Sequence, residues 1–293
     1  MLKNNKLKEK KYAFFGSPKF AEIVLDNLIK KEIKPAVVIC NPDRPVGRKK
    51  IITPPPTKIL ALKNNIPVYQ PEKLNPEEIK KKFGQIDFAI IAAYGKIIEK
   101  EIINLFKDGV FGIHPSLLPK FRGASPIQYA ILNSEKYSGI TIYKMNDKID
   151  HGPILIQKKI KIIDKNYLEV EELLAKEGVI ILYKILKNII NNSLILKTQD
   201  HNQATFTKKI NTEDGFIELD DLKLALLGHK DMAQKIYQKI LALGNEPGVY
   251  TLIKDKRIKL LDALLEEEKL ILKTIQIEGK TPTNDFDKNI FNI

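Results

Sequence analysis

Short unbroken apolar runs alternate along the first two thirds of the chain with stretches whose apolar residues recur every three or four positions. The first run is Tyr12-Ala13-Phe14-Phe15, closed by a turn at Gly16. Ser17 and Pro18 then read as a helix start, with Ser as N-cap and Pro in the first turn. Phe20, Ile23, Val24 and Leu28 form an i, i+3, i+4, i+8 stripe behind them. A second apolar run covers 35–40. Strand, turn, helix and strand make a βαβ unit, which implies a parallel sheet. The pattern continues with a helix over 57–64, a strand over 67–69 and a helix start at Asn75-Pro76-Glu77-Glu78. Residues 87–95 are continuously apolar, as in a strand covered on both faces. A helix over 99–106, a strand over 110–114 and a helix over 127–133 follow. Strands over 139–143 and 153–157 and a long helix over 168–190 complete this part.

Beyond 190 the rhythm changes. Residues 191–204 form a polar, Asn-rich link. Residues 220–243 read as one helix with an apolar stripe, and 248–253, 257–261 and 270–275 as short strands. The expected class is α/β, a Rossmann-like, mostly parallel sheet domain over 1–190, joined by the link to a smaller, mostly-β domain over 205–293.

Composition narrows the class further. No apolar run approaches 18 residues, so no membrane span is expected. The basic N-terminus has no apolar segment behind it, unlike a secretory signal. The single cysteine, Cys40, leaves no partner for an intramolecular disulfide and no Cys-based zinc cluster. A cytoplasmic protein is expected. The 49 Lys and Arg against 36 Asp and Glu give a formal charge of +13, which favours polyanionic partners. Four of those cations, Arg44, Arg48, Lys49 and Lys50, crowd one proline-stiffened loop over 41–56. Such a loop suits phosphate contacts, or is merely solvated surface.

Candidate chemistry sits where strands end. In open α/β sheets ligands bind beyond the carboxyl ends of the strands, and the pattern puts His114 and Asp150 there. A carboxylate beside an imidazole can fix its tautomer or stabilise the imidazolium, so that the pair stabilises an oxyanion or relays protons. No G-x-S-x-G elbow occurs, and Ser116 lies in a proline-bounded loop, so a serine nucleophile is disfavoured. His114, Asp150 and His151 make a poor metal site, because adjacent residues of a strand point apart. No metal is expected. Transfer to an amine carried by a substrate fits better.

The string His114-Pro115-Ser116-Leu117-Leu118-Pro119, Arg122-Gly123-Ala124 and Pro126-Ile127-Gln128, with Asp150 and Gly152 downstream, closely resembles the 10-formyltetrahydrofolate-dependent formyltransferases. Phe15-Gly16-x-Pro18-x-Phe20, the loop from Asn41 to Arg48, and Ala92-x-Tyr94-Gly95 narrow the resemblance to the methionyl-tRNA formyltransferase family. It is dense over 12–160 and thin beyond. It implies a folate-binding N-terminal domain that uses Ser116, Leu117, Leu118 and Pro119, together with the Tyr94 and Gly95 segment. It implies an OB-like barrel at the C-terminus for tRNA contact. The formyl donor would be 10-formyltetrahydrofolate and the acceptor the α-amine of initiator methionyl-tRNA, approached by Arg44, Arg48, Lys49 and Lys50. A monomer is expected.

The family's catalytic set is an Asn, a His and an Asp. His114 and Asp150 match the last two, whereas the Asn position holds Gly112, which has no side chain. Loss of one oxyanion donor costs about 10²–10³ in rate. A backbone N–H, a water or the Ser116 hydroxyl are the candidates to replace it. Gly244 to Gly248 falls where the family has an Asn-Pro-Trp-Pro run, and this chain has no Trp. Two rival readings stay open: formyl transfer to another amine, such as an amino sugar nucleotide, and a weakened relative that only binds folate or tRNA.

Overall fold

A computed structural model describes residues 10–47, 49–244 and 246–291. The N-terminal part is built on a sheet of strand order β10-β9-β7-β6-β1-β2-β5. Its strands are β1 (Tyr12–Phe15), β2 (Val37–Ile39), β5 (Val68–Tyr69), β6 (Phe88–Ile91), β7 (Gly109–His114), β9 (Tyr137–Lys144) and β10 (Ile154–Lys161). β1 runs parallel to β2 and β6, β2 to β5 and β6 to β7, while β9 pairs antiparallel with β7. Every residue of β1, β2, β6 and β7 is buried. Apolar side chains on both faces of these strands explain their unbroken apolar runs. On one face Phe15, Ile39, Ile91 and Val110 share a core with Ile79, Ile102 and Phe106.

The helices are α1 (Lys19–Lys30), α2 (Pro56–Lys63), α3 (Pro76–Phe83), α4 (Lys100–Ile103), α5 (Pro126–Leu132) and α6 (Tyr167–Ile190). The α1 stripe buries Phe20, Val24 and Leu28 as its spacing predicts. Its start differs. Pro18 itself takes the cap position with extended backbone, and no side chain caps the helix. The Ser17 hydroxyl instead accepts the Asn41 N–H at 2.9 Å, tying the ends of β1 and β2 together. At α3 the predicted cap is present, with Asn75 Oδ1 accepting the N–H groups of Glu77 and Glu78.

Two further expectations are corrected. The loop over 41–56 contains an antiparallel hairpin, β3 (Arg44–Val46) with β4 (Ile51–Thr53), exposed along both strands. Three-residue strands with no buried face leave no apolar alternation in the sequence. The helix over 220–243 is two helices, α7 (Leu219–Leu227) and α8 (Lys230–Leu243), separated at Gly228, whose φ of 101° ends α7.

By compactness the chain divides into two units, Met1–Ala124 with Gly139–Ile160 and Glu171–Phe206, and Ser125–Ser138 with Lys161–Val170 and Thr207–Ile293. Two short strands, β8 (Arg122–Gly123) and β11 (Phe206–Thr207), lie near segment ends. The second unit holds a three-stranded antiparallel sheet of β12 (Val249–Ile253), β13 (Lys256–Glu266) and β14 (Lys269–Ile277). α7 and α8 pack on that sheet, burying Leu222, Ile236 and Ile240 with Val249, Leu260 and Ile275.

The connection from β9 to β10 carries Asp150 and closes tightly. A Cβ on Gly152 would lie 1.8 Å from the Lys144 carbonyl oxygen, so only glycine fits without backbone displacement. Gly152→Ala should therefore lower unfolding free energy by about 1–3 kcal/mol, the usual cost of overpacking. Urea denaturation followed by circular dichroism would read this, and an unchanged midpoint would show that the close approach imposes no constraint.

Candidate active site

His114 is the last residue of β7 and is only 6% exposed. Its Nε2 lies 2.9 Å from the Phe121 carbonyl oxygen. A carbonyl can only accept, so Nε2 carries the proton in that bond and Nδ1 is left to face Asp150 Oδ2 at 3.6 Å. Asp150 stands in a left-handed backbone conformation, φ 47°, which turns its side chain back over the sheet edge. Both carboxylate oxygens have donors. Oδ2 accepts the Gly123 N–H at 2.8 Å, and Oδ1 accepts the Tyr143 hydroxyl at 2.7 Å.

The 116–119 loop adjoins this pair and is fixed from beneath by side chains of β9 and β10. Thr141 Oγ1 donates to the Ser116 carbonyl at 2.6 Å and accepts the Leu118 N–H at 3.2 Å. Gln157 Nε2 donates to the Leu118 carbonyl and to Thr141 Oγ1, both at 2.8 Å. The Leu118–Pro119 bond is cis. Leu117 and Pro119 are half-buried, while Leu118 packs inward with Tyr143 and Ile154. The Ser116 hydroxyl donates to the Lys120 carbonyl at 2.6 Å. Its proton is thereby committed to holding the loop, which removes Ser116 as the replacement oxyanion donor.

Tyr94 and Gly95 follow β6 at the same end of the sheet. The Tyr94 ring turns into the core, edge-on to Phe15 at 5.4 Å, and burial pushes its phenol up to about 12. Its carbonyl accepts the Asn41 amide at 3.1 Å, and Gly95 is exposed. The outward feature of this segment is thus backbone and not the tyrosine ring.

The cationic residues stand elsewhere, on the β3–β4 hairpin. Arg44, Lys49 and Lys50 are exposed, with Arg44 3.8 Å from Glu72; Arg48 lies outside the described residues. The hairpin is rooted by Asp43, which accepts from Lys58 at 2.7 Å and Gln70 at 2.8 Å. Those two donors hold the Asp43 carboxyl below its ordinary range, Gln70 first. Val46, Ile51 and Ile52 are also exposed.

Periodicity gave no sign of several residues that build the site. Residues 199–205, which read as polar link, lie against it. Gln199 Nε2 donates to the carbonyls of Asp150 at 2.9 Å and Gly152 at 2.7 Å, and its Oε1 accepts from Arg122 at 2.6 Å. Arg122 also donates to His201 Nδ1 at 2.9 Å, and His201 stacks on His151 with ring centres 3.8 Å apart. Burial lowers the His151 pKa, and the neighbouring His201 and Arg122 lower it further. Burial also lowers that of Arg122, opposed by the Asp150 charge. Thr205 accepts the Phe121 N–H through its hydroxyl and the Arg122 N–H through its carbonyl, each at 2.8 Å. The chemical cue was available: Gln199 and His201 are functional side-chain types inside a stretch otherwise rich in Asn. Among the described residues no group of three His, Cys, Asp or Glu could hold a metal ion, and no helix is long and apolar enough to cross a membrane.

Comparison with known proteins agrees with this geometry. The formyl transferase family matches residues 10–186, and the formyl transferase C-terminal domain matches 209–274. A methionyl-tRNA formyltransferase of Kosmotoga olearia is 38% identical, covering 86% of this chain and 79% of its own length. A methionyl-tRNA formyltransferase structure from Clostridium thermocellum superposes with a TM-score of 0.61 at 19% identity, over 92% of this chain and 98% of that one. A sugar 3N-formyl transferase solved in the presence of dTDP and 5-N-formyl-THF gives a TM-score of 0.65 at 23% identity, over 93% and 99%. At that identity the two structures testify to fold alone. Sequence identity and both matched domains show that the chain belongs to the methionyl-tRNA formyltransferase family of formyl transferases.

Proposed function

We propose that this protein transfers the formyl group of 10-formyltetrahydrofolate to the α-amine of methionine esterified to initiator tRNA. The observation that carries the reading is the His114–Asp150 pair, seated at the carboxyl end of β7 beside the braced 116–119 loop. The amine nitrogen attacks the formyl carbon, a C–N bond forms, and an oxyanion develops on the tetrahedral carbon. Collapse breaks the bond to N10 of the folate, which leaves with a proton, and the amine gives one up. His114 and Asp150 serve this proton traffic. Nε2 is anchored on Phe121, so Nδ1, which faces Asp150, is the nitrogen that takes up and releases the proton, and Asp150 stabilises the imidazolium.

The folate is taken to lie along Ser116, Leu117, Leu118 and Pro119 and the backbone of Tyr94 and Gly95. Residues 1–190 supply this chemistry, 205–293 contact the tRNA, and 191–204 join the two while also bracing the site through Gln199 and His201. Arg44, Arg48, Lys49 and Lys50 meet tRNA phosphates; of these, Arg44, Lys49 and Lys50 are exposed, and exposed cations can follow a phosphate backbone without burying charge. Identity of 38% to a methionyl-tRNA formyltransferase, against 23% to a sugar formyl transferase, favours the tRNA acceptor over an amino sugar nucleotide.

The deciding assay offers labelled 10-formyltetrahydrofolate with methionyl-tRNA in one reaction and an amino sugar nucleotide in another. Label on the sugar alone would overturn the acceptor assignment. His114→Ala should reduce kcat by about 10²–10⁴, the range of lost general acid–base catalysis. Its far-ultraviolet spectrum should match the wild type, and full turnover in this variant would remove His114 from the chemistry. Lys49→Ala/Lys50→Ala should raise the KM for tRNA and leave that for folate unchanged. The slope of log affinity against log salt should fall by about 1 for each phosphate that the variant no longer neutralises. Equal effects on both substrates would count against the hairpin as a tRNA-binding element.

A further inference from the structure

Gly112 and Tyr143 face each other across the β7–β9 pair. A Cβ built on Gly112 would lie 2.3 Å from Tyr143 Cε1, 2.6 Å from Cζ and 2.8 Å from the hydroxyl oxygen. No side chain at 112 can coexist with the phenol where it stands. The ring therefore occupies the place from which a carboxamide at 112 would act.

Filling that space needs no polar atom. Tyr143 packs with Leu118, Ile154 and Met145, an apolar setting in which phenylalanine would serve as well. The hydroxyl has a specific partner, Asp150 Oδ1 at 2.7 Å, while Oδ2 takes the Gly123 N–H and faces His114 Nδ1. Two donors from different strands thus fix the plane of the carboxylate and decide which oxygen meets the imidazole. Burial and the Asp150 carboxylate push the phenol well above its usual range, so it remains a protonated donor. The charged and titratable groups around the pair are Arg122, which acts on Asp150, and His201 and His151, which stack beyond it.

We propose that Tyr143 is a positioning residue for this reaction: its ring takes the place of the missing side chain at 112, and its hydroxyl holds Asp150 so that Oδ2 faces His114. The inference rests on the formyl-transfer reading given above. It accounts for the volume of the missing side chain at 112 and for the placing of Asp150, and leaves the oxyanion donor to a backbone N–H or a water.

Tyr143→Phe keeps the ring and removes the bond. Single-turnover formyl transfer should slow by about 10- to 100-fold, the scale on which metal sites lose activity when a hydrogen bond orienting a ligating side chain is removed. Folate affinity and the thermal midpoint should stay near wild type. In the same variant without substrates, the NMR titration of the His114 imidazole, assigned by its absence in His114→Ala, should shift. Gly112→Asn alone should lose activity because the phenol leaves no room, and Gly112→Asn/Tyr143→Ala should exceed both single variants. Wild-type rate and an unmoved His114 titration in Tyr143→Phe would overturn the assignment, as would full activity in Gly112→Asn. If the wild-type protein transferred no formyl group, the formyl-transfer reading would fail, and the His114 titration would still decide whether Tyr143 sets the Asp150–His114 geometry.

Discussion

The Asp150 carboxylate is reached from three segments: the hydroxyl of Tyr143 on β9, the backbone N–H of Gly123 on β8 and the imidazole of His114 at the end of β7. A carboxylate drawn out of water is costly unless donors replace its hydration, and hydrogen bonds to a charged group are worth about 1.5–3 kcal/mol each. Much of the structure beyond the sheet serves that requirement. The chain must leave β7 at His114 and return at Gly123 with its N–H aimed at Oδ2. Ser116 to Lys120, Thr141 to the 116–118 backbone, and Thr205 to Phe121 and Arg122 impose that path. Gln199 holds the carbonyls on either side of His151, so the connection bearing Asp150 is fixed by its backbone as well as by its carboxylate.

The middle of the sheet was legible because its strands are buried on both faces. Burial of that kind writes itself as unbroken apolar runs, and β1, β2, β6 and β7 lie where those runs fall. The end of β7 was legible for the same reason, and with it the place of His114; Asp150 stands in the connection between β9 and β10, not at a strand end, and was marked by the motif around Gly152. The β3–β4 hairpin was not, because its six strand residues are all exposed and local pairing alone shapes it. The break between α7 and α8 was hidden by an apolar stripe that continues through both helices; Gly228 was its one signal. Gln199, His201 and Thr205 act through bonds to backbone and to Arg122, which have no period along the chain. Tyr143 reads as one more core aromatic on a strand whose Ile140 and Ile142 are core. Its hydroxyl acquires meaning only when the Asp150 connection folds over it.

Charge is divided between two environments that respond differently to solvent. Arg44, Lys49 and Lys50 are exposed, and their field is screened within a Debye length of about 8 Å at physiological salt. The Asp150 site is shielded by protein, and its closest donors, a phenol and a backbone amide, are neutral. The charge of Arg122 interacts with that of Asp150, and that guanidinium is itself buried among Gln199 and His201. Ionic strength thus acts on the exposed cations and leaves the His114–Asp150 pair largely untouched. On the proposed reading, recognition and chemistry are separable by salt for that reason.

Gly112 and Tyr143 show why a missing side chain cannot be judged one position at a time. Residues in contact are expected to be non-additive, and this pair is an extreme case, because the atoms of one occupy the volume of the other. A side chain added at 112 against an unmoved phenol would meet ring atoms at less than 3 Å, so the first change available from this state is at Tyr143 and not at Gly112. Loss of the phenol would open the space and release Oδ1 of Asp150 together. Space and hydrogen bond are thereby linked in a single residue. The glycine is better understood as the half of a two-residue arrangement that makes room than as a catalytic position left empty.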